Sequence, residues 1–186
     1  MLKFAITGNI ASGKSQVEKF LLSLGYPVYD SDKIAHKVLD GISYFYGYDV
    51  FTDGKIDRKK LGKLVFSNPE LKIKLEELTH PQIKSEILNL FEKHKNDKYI
   101  FVSVPLLYEA EFDDIFDKVI LITVNDNTQL HRLMERNNLS KDEALLRINS
   151  QMPQSEKEKR ADYIINNNST LEDLKIQIKN LIASIY

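Results

Sequence analysis

An apolar run, Leu2-Lys3-Phe4-Ala5-Ile6-Thr7, leads straight into Gly8-Asn9-Ile10-Ala11-Ser12-Gly13-Lys14-Ser15. That octet has the form G-x-x-x-x-G-K-[ST], and a helical pattern follows it. Strand, glycine-bounded loop and helix in this order constrain the chain more than any other feature. Gly8 and Gly13 permit backbone conformations and close approaches that a Cβ would block. The N–H groups of the loop then turn around a phosphate at the positive end of the helix dipole. Lys14 can reach the β and γ phosphates, and the Ser15 hydroxyl can ligate Mg²⁺. Residues 8–15 are therefore read as holding a nucleoside triphosphate. The loop alone leaves open what becomes of the γ-phosphate.

The flanking chain supplies the frame. Val17, Phe20, Leu21 and Leu24 recur at helical spacing, and Gly25 ends that helix. Tyr26 to Tyr29 reads as a second strand, which completes a βαβ unit with a right-handed crossover. Lys98–Val104, Lys118–Val124 and Ala161–Asn166 read as three further strands, giving an α/β core with a five-stranded parallel sheet. Residues 41–98 differ in texture. An aromatic, loop-like stretch from Gly41 to Tyr48 precedes an Asp53-Gly54 turn. Helices follow at 56–66, 70–78 and 81–94, the last two split by His80-Pro81, and no strand is expected anywhere across 41–98. The segment 155–160 reads as a charged, solvent-facing turn.

At 186 residues the chain is expected to form one domain. The net charge of −1 gives no argument for nucleic acid or an anionic membrane, so any phosphate attraction is local. There is no Cys, hence no thiolate chemistry, and the four histidines lack metal-ligand spacing. No apolar run approaches membrane-spanning length. The expectation is a cytoplasmic protein, a monomer or weak oligomer.

Asp30-Ser31-Asp32 follows the second strand directly. In an open parallel sheet, ligands bind beyond the carboxyl ends of the strands. Both acids therefore start on the edge that carries the loop. A carboxylate there can orient an acceptor hydroxyl, take its proton, or hold Mg²⁺ through water. Glu109 leaves the third strand on the same edge, either as a positioning group or as a surface acid. Gln129, Arg132 and Arg136 share one face of the helix after Asn125. Arginines so placed can neutralise transition-state charge. Ser140-Lys141-Asp142-Glu143 reads as a capping box.

The ordered blocks resemble the dephospho-CoA kinases. They are the loop at 8–15, Asp30-Ser31-Asp32-x-Ile34-Ala35-His36, Asp57-Arg58-x-x-Leu61, and His80-Pro81-x-Ile83. Val104-Pro105-Leu106-Leu107-Tyr108-Glu109, Gln129-x-x-Arg132-x-x-x-Arg136, Arg147-Ile148-x-x-Gln151 and Ala161-Asp162 through Ile165-Asn166 complete the series. The resemblance covers nearly the whole chain. It implies transfer of the γ-phosphoryl of ATP to the ribose 3′-hydroxyl of dephospho-CoA, the last step of coenzyme A synthesis, with Mg²⁺. It implies a P-loop core at about 1–39, 96–131 and 156–186, a helical CoA-binding insertion at about 40–95, and a lid at about 132–155. Carried over residue by residue, Asp32, Lys14 and Arg136 are catalytic, and residues 8–15 with Arg147 hold ATP. His80, Leu107 and Glu109 join Asp32 at the acceptor, and Ser15 takes the metal. The loop departs from the family's usual Thr-Gly-Gly-Ile-Gly-Ser-Gly-Lys, with Asn9 and Ala11 in place of two glycines.

A shikimate-type kinase is the alternative, since such enzymes also place Asp-x-Asp after the second strand. They do not join it to the Pro-Leu-Leu-Tyr-Glu block. A switching GTPase is disfavoured, because the chain contains neither Asp-x-x-Gly nor Asn-Lys-x-Asp. Lys14→Ala is expected to impair phosphoryl transfer more than adenine recognition. Unchanged ATP affinity and turnover in that variant would refute the phosphate reading of the loop.

Overall fold

Five polar residues end the five strands of the main sheet. The strands are β1 (Leu2–Thr7), β2 (Val28–Asp30), β5 (Tyr99–Ser103), β6 (Lys118–Thr123) and β7 (Tyr163–Asn166). All are parallel, in the order β2-β5-β1-β6-β7. β1 lies at the centre, with Ile6 opposite Ser103 and Thr7 opposite Leu121. The expected five-stranded parallel sheet is present. Its carboxyl edge carries Thr7, Asp30, Ser103, Thr123 and Asn166, and the loop after β1 emerges at its middle. The computed structural model describes residues 1–41 and 44–185. Ile42 and Ser43, within the aromatic stretch, and Tyr186 lie outside the described residues.

The chain divides into two compact units, Met1–Asp30 with Lys93–Tyr186, and Ser31–Glu92. The first holds the sheet. Its helices are α1 (Lys14–Ser23), α5 (Asp126–Asn137), α6 (Lys141–Asn149), α7 (Gln154–Glu158) and α8 (Leu171–Ser184). On one face of the sheet, Phe4, Ile6, Phe101, Ile120, Ile122 and Ile165 pack with Val17 and Leu21 of α1 and Leu174 and Ile178 of α8. Phe4 stacks on Phe101 at 5.1 Å between ring centroids. Ala5, Ile100, Val102 and Leu121, which point the other way, are also fully buried. Burial on both faces explains why these strands are nearly continuous apolar runs.

The second unit contains α2 (Ser31–Asp40), α3 (Arg58–Ser67) and most of α4 (Pro69–Lys93). It also contains a hairpin, which corrects the expectation that no strand occurs across 41–98. β3 (Phe51–Thr52) pairs antiparallel with β4 (Lys55–Ile56). The Asp53-Gly54 turn between them has φ of 51° and 75°, the left-handed pair that matches hairpin twist. With two residues per strand, no alternation was there to be read. Asp57 caps α3, accepting from the N–H groups of Lys59 and Lys60 at 2.9 and 3.1 Å. The Lys60 N–H is the main reason its carboxyl stays below the usual range.

Pro81 was expected to divide two helices, yet α4 runs through it. Leu71, Thr79, Ile83, Ile87 and Phe91 are buried at multiples of four residues along the helix, so packing continues on both sides of the proline. Side chains also supply donors nearby, Thr79 Oγ1 to the Leu75 carbonyl and Gln82 Nε2 to that of Leu78, each at 2.8 Å. Burial of one continuous face outweighs a lost backbone bond. Among the described residues, no helix is long and apolar enough to cross a membrane.

Asp162 ties the amino ends of β6 and β7 together. It accepts from Lys118 Nζ and from the Val119 N–H, both at 2.8 Å. Burial pushes this carboxyl up, but the Lys118 ammonium and the Val119 N–H outweigh it and hold it below the ordinary value. A lowered folded pKa stabilises the fold above the unfolded value, near pH 4, and the gain is lost as pH falls through the folded value. Asp162→Asn should therefore unfold at lower urea than the parent at pH 7. The gap should narrow as pH falls through the folded value. A gap that does not narrow as the pH is lowered would refute the assignment.

Candidate active site

The site begins at an unfinished helix. α1 starts at Lys14 with no acid in its first turn and no side-chain cap, and Gly13 before it is left-handed (φ 97°, ψ 21°). By contrast, α6 and α8 open with complete capping boxes, Ser140 with Glu143 and Thr170 with Asp173. Uncapped N–H groups at a positive helix end make an anion site. The two glycines are required by space as well as by φ. A Cβ on Gly8 would stand 2.5 Å from the Ile122 carbonyl oxygen and 2.7 Å from Ser12 Oγ. A Cβ on Gly13 would collide with the Asn167 side-chain amide. Lys14 Nζ reaches back across the loop to donate to the Gly8 carbonyl at 2.6 Å. The Ser15 hydroxyl lies one residue along α1, on an exposed residue.

The rest of the loop is held from outside. Asn167 Nδ2 donates to the Ser12 carbonyl at 2.8 Å. Gln129 Nε2, from the first turn of α5, donates to the Ile10 carbonyl at 2.9 Å. The Ile10 N–H donates to Gln151 Oε1 at 2.7 Å. Asn9 is buried, and its Nδ2 donates to the Met152 carbonyl at 3.2 Å. Asn9 Oδ1 and Ser12 Oγ are buried without a hydrogen-bond partner among the described residues. Ala11 sits at φ 62°, left-handed backbone in which a Cβ is disfavoured.

The helices that carry the arginines are anchored to this loop. Gln129 lies one and two turns before Arg132 and Arg136 on α5, and Gln151 follows α6, which carries Arg147. Arg136 is exposed, and its Nε donates to Asn137 Oδ1 at 2.9 Å. Arg147 is exposed near the end of α6. Glu143, at the start of α6, is held below its usual pKa chiefly by the Ser140 N–H, then by the Ser140 hydroxyl and the charge of Arg147.

Within the block after β5, Leu107 is fully buried and Tyr108 nearly so. Burial pushes the Tyr108 hydroxyl up to about 12, and the Arg160 guanidinium lies 4.1 Å over its ring. Glu109 Oε1 accepts from the Met152 N–H at 3.0 Å and lies 2.8 Å from Lys157 Nζ. Asp32 and His80 stand in the second unit, Asp32 exposed in the first turn of α2 and His80 midway along α4.

A model of the dephospho-CoA kinase family matches residues 2–173. The chain belongs to the dephospho-CoA kinase family. A dephospho-CoA kinase of Listeria innocua is 41% identical, with 95% of this chain and 94% of that one covered. The solved dephospho-CoA kinase of Campylobacter jejuni is 36% identical at a TM-score of 0.77, covering 98% of this chain and 96% of its own. A shikimate kinase of Bacteroides thetaiotaomicron shares 18% identity at a TM-score of 0.60, covering 99% and 98%. That likeness shows the fold alone.

Three residues that hold the loop, and the buried Lys157, carried little weight in the sequence. Gln129 and Gln151 appear in blocks noted for their arginines, and Asn167 lies one residue beyond the last block. A signal for Asn167 existed, since Ile165 and Asn167 share the inward side of a strand continued at period two. Lys157 sits in the segment expected to face solvent, yet its side chain is 0% exposed. A five-residue helix, Gln154–Glu158, is too short for periodicity to reveal its inner face.

Left-handed backbone at an alanine costs about 1–2 kcal/mol, partly offset by the greater unfolded-state freedom of glycine. Ala11→Gly is expected to stabilise the protein by roughly 1 kcal/mol, measured by urea unfolding. A loss of stability would show that Ala11 is not strained.

Proposed function

We propose that Asp32 orients and deprotonates the ribose 3′-hydroxyl of dephospho-CoA while residues 8–15 hold the triphosphate of ATP. The chain is a kinase that uses ATP to phosphorylate dephospho-CoA, the reaction of its family. The observation that carries the assignment of residues is the uncapped start of α1. It offers backbone N–H groups at a positive helix end, and Lys14 lies across the same loop.

The roles follow from charge. Phosphoryl transfer spreads negative charge over the moving group and the leaving oxygen, so fixed positive groups accelerate it. Lys14 and the loop N–H groups meet the β and γ phosphates. Arg136 and Arg147, on helices anchored to the loop, supply further positive charge. A carboxylate at position 32 holds the acceptor hydroxyl in line and takes its proton. Mg²⁺ suits the hard hydroxyl oxygen of Ser15, which is exposed next to the phosphate end of α1. Ser15 would hold it with the phosphate oxygens, where it neutralises their charge.

The deciding assay supplies ATP, Mg²⁺ and dephospho-CoA and locates the new phosphate by phosphorus NMR. Coenzyme A with a 3′-phosphate is expected. Turnover with shikimate and none with dephospho-CoA would refute the reading. Asp32→Asn should lower turnover by roughly 10²-fold or more with ATP binding retained in a calorimetric titration. Near-normal turnover would remove Asp32 from this role.

A further inference from the structure

Among the described residues, Lys157 is the one charged side chain that is fully enclosed. Burying an ammonium is costly unless it is paired. An unbranched apolar side chain would fill the same space without that cost. Lys157 Nζ lies 2.8 Å from Glu109 Oε1. The angle is not that of a hydrogen bond, so the contact is an ion pair. The same Glu109 oxygen accepts from the Met152 N–H at 3.0 Å. The Met152 carbonyl accepts from Asn9 Nδ2 at 3.2 Å, and the adjoining Gln151 accepts from the Ile10 N–H at 2.7 Å. A continuous chain of polar contacts thus runs from the buried ammonium to the tip of the phosphate-binding loop.

We propose that Lys157 is a positioning residue for ATP. Acting through Glu109 and Met152, it holds Asn9 and Ile10 in the conformation that receives the triphosphate. The inference rests on reading residues 8–15 as the ATP loop. Both the N–H and the C=O of Ile10 are taken by side chains. The loop tip therefore cannot rearrange without breaking bonds to the segment that Lys157 fixes. That segment follows directly on the C-terminal end of α6, the helix that carries Arg147. Asn9 gains a purpose in this arrangement. Its amide is the link that a glycine at position 9 would lack.

Lys157→Met keeps the length of the side chain and removes the charge. Steady-state kinetics with each substrate varied in turn should show the KM for ATP raised by roughly tenfold or more. The KM for dephospho-CoA should stay within about twofold of the parent. Asn9→Ala cuts the far end of the chain without disturbing the buried charge, and should show the same split. A normal KM for ATP in both variants overturns the proposal, whatever their melting temperatures. If Lys157→Met gives no cooperative melt, Asn9→Ala decides alone, and a normal KM for ATP in it overturns the proposal. Turnover of the parent with dephospho-CoA is measured beside them. Its absence would refute the kinase reading rather than the role of Lys157.

Discussion

An α-helix that begins without a cap leaves backbone N–H groups unpaired, and the rest of this structure is arranged around one such beginning. At α1 neither a Ser, Thr, Asp nor Asn side chain closes the first turn. Glycine with left-handed backbone stands where a cap would be. An anion is the natural complement of that end. The central position of β1 places the opening at the middle of the sheet's carboxyl edge. Polar residues at the ends of all five strands surround it. Of the other helices in that unit, α6 and α8 are closed by their own capping boxes and α5 by the Asn125 side chain.

A loop of this kind must keep its N–H groups aimed inward without a ligand to hold them. Here much of that work falls to side chains distant in sequence. Asn167 grips the Ser12 carbonyl, Gln129 the Ile10 carbonyl, and Gln151 the Ile10 N–H. Asn9 reaches Met152. These groups come from the end of β7, the start of α5, and the turn after α6. The loop is therefore a junction as well as a binding site. Whatever moves α5 or the C-terminal end of α6 is felt at Ile10, and both helices carry the arginines assigned to the transferring phosphate.

Much of the fold was legible because its signals are local. Apolar runs marked the strands buried on both faces, and the glycines, the capping box at Ser140 and the turn at Asp53-Gly54 stand where they were read. The dephospho-CoA kinase blocks were legible too, and several of their residues build the fold. Leu107 and Tyr108 are core, Asp57 caps α3, and Asp162 joins two strands. What escaped was short or overridden by packing. Strands of two residues have no period. A proline in α4 was outvoted by a buried face that continues past it. Lys157 looked like surface because it sits among charges.

The amino-acid sequence by itself determined the elements of the loop: two glycines where no Cβ fits and a lysine and a serine at fixed spacing, with acids at the end of the second strand and the start of α2. Those follow from steric and electrostatic rules that act over a few residues. Only the tertiary structure decided what holds the loop in shape. Asn9 and Met152 are 143 residues apart in sequence, and Ser12 and Asn167 are 155 apart. Nothing local relates such pairs. The order of the strands and the packing of α7 bring them within hydrogen-bonding distance, and that packing also turned a lysine from an apparent surface charge into the end of a buried support.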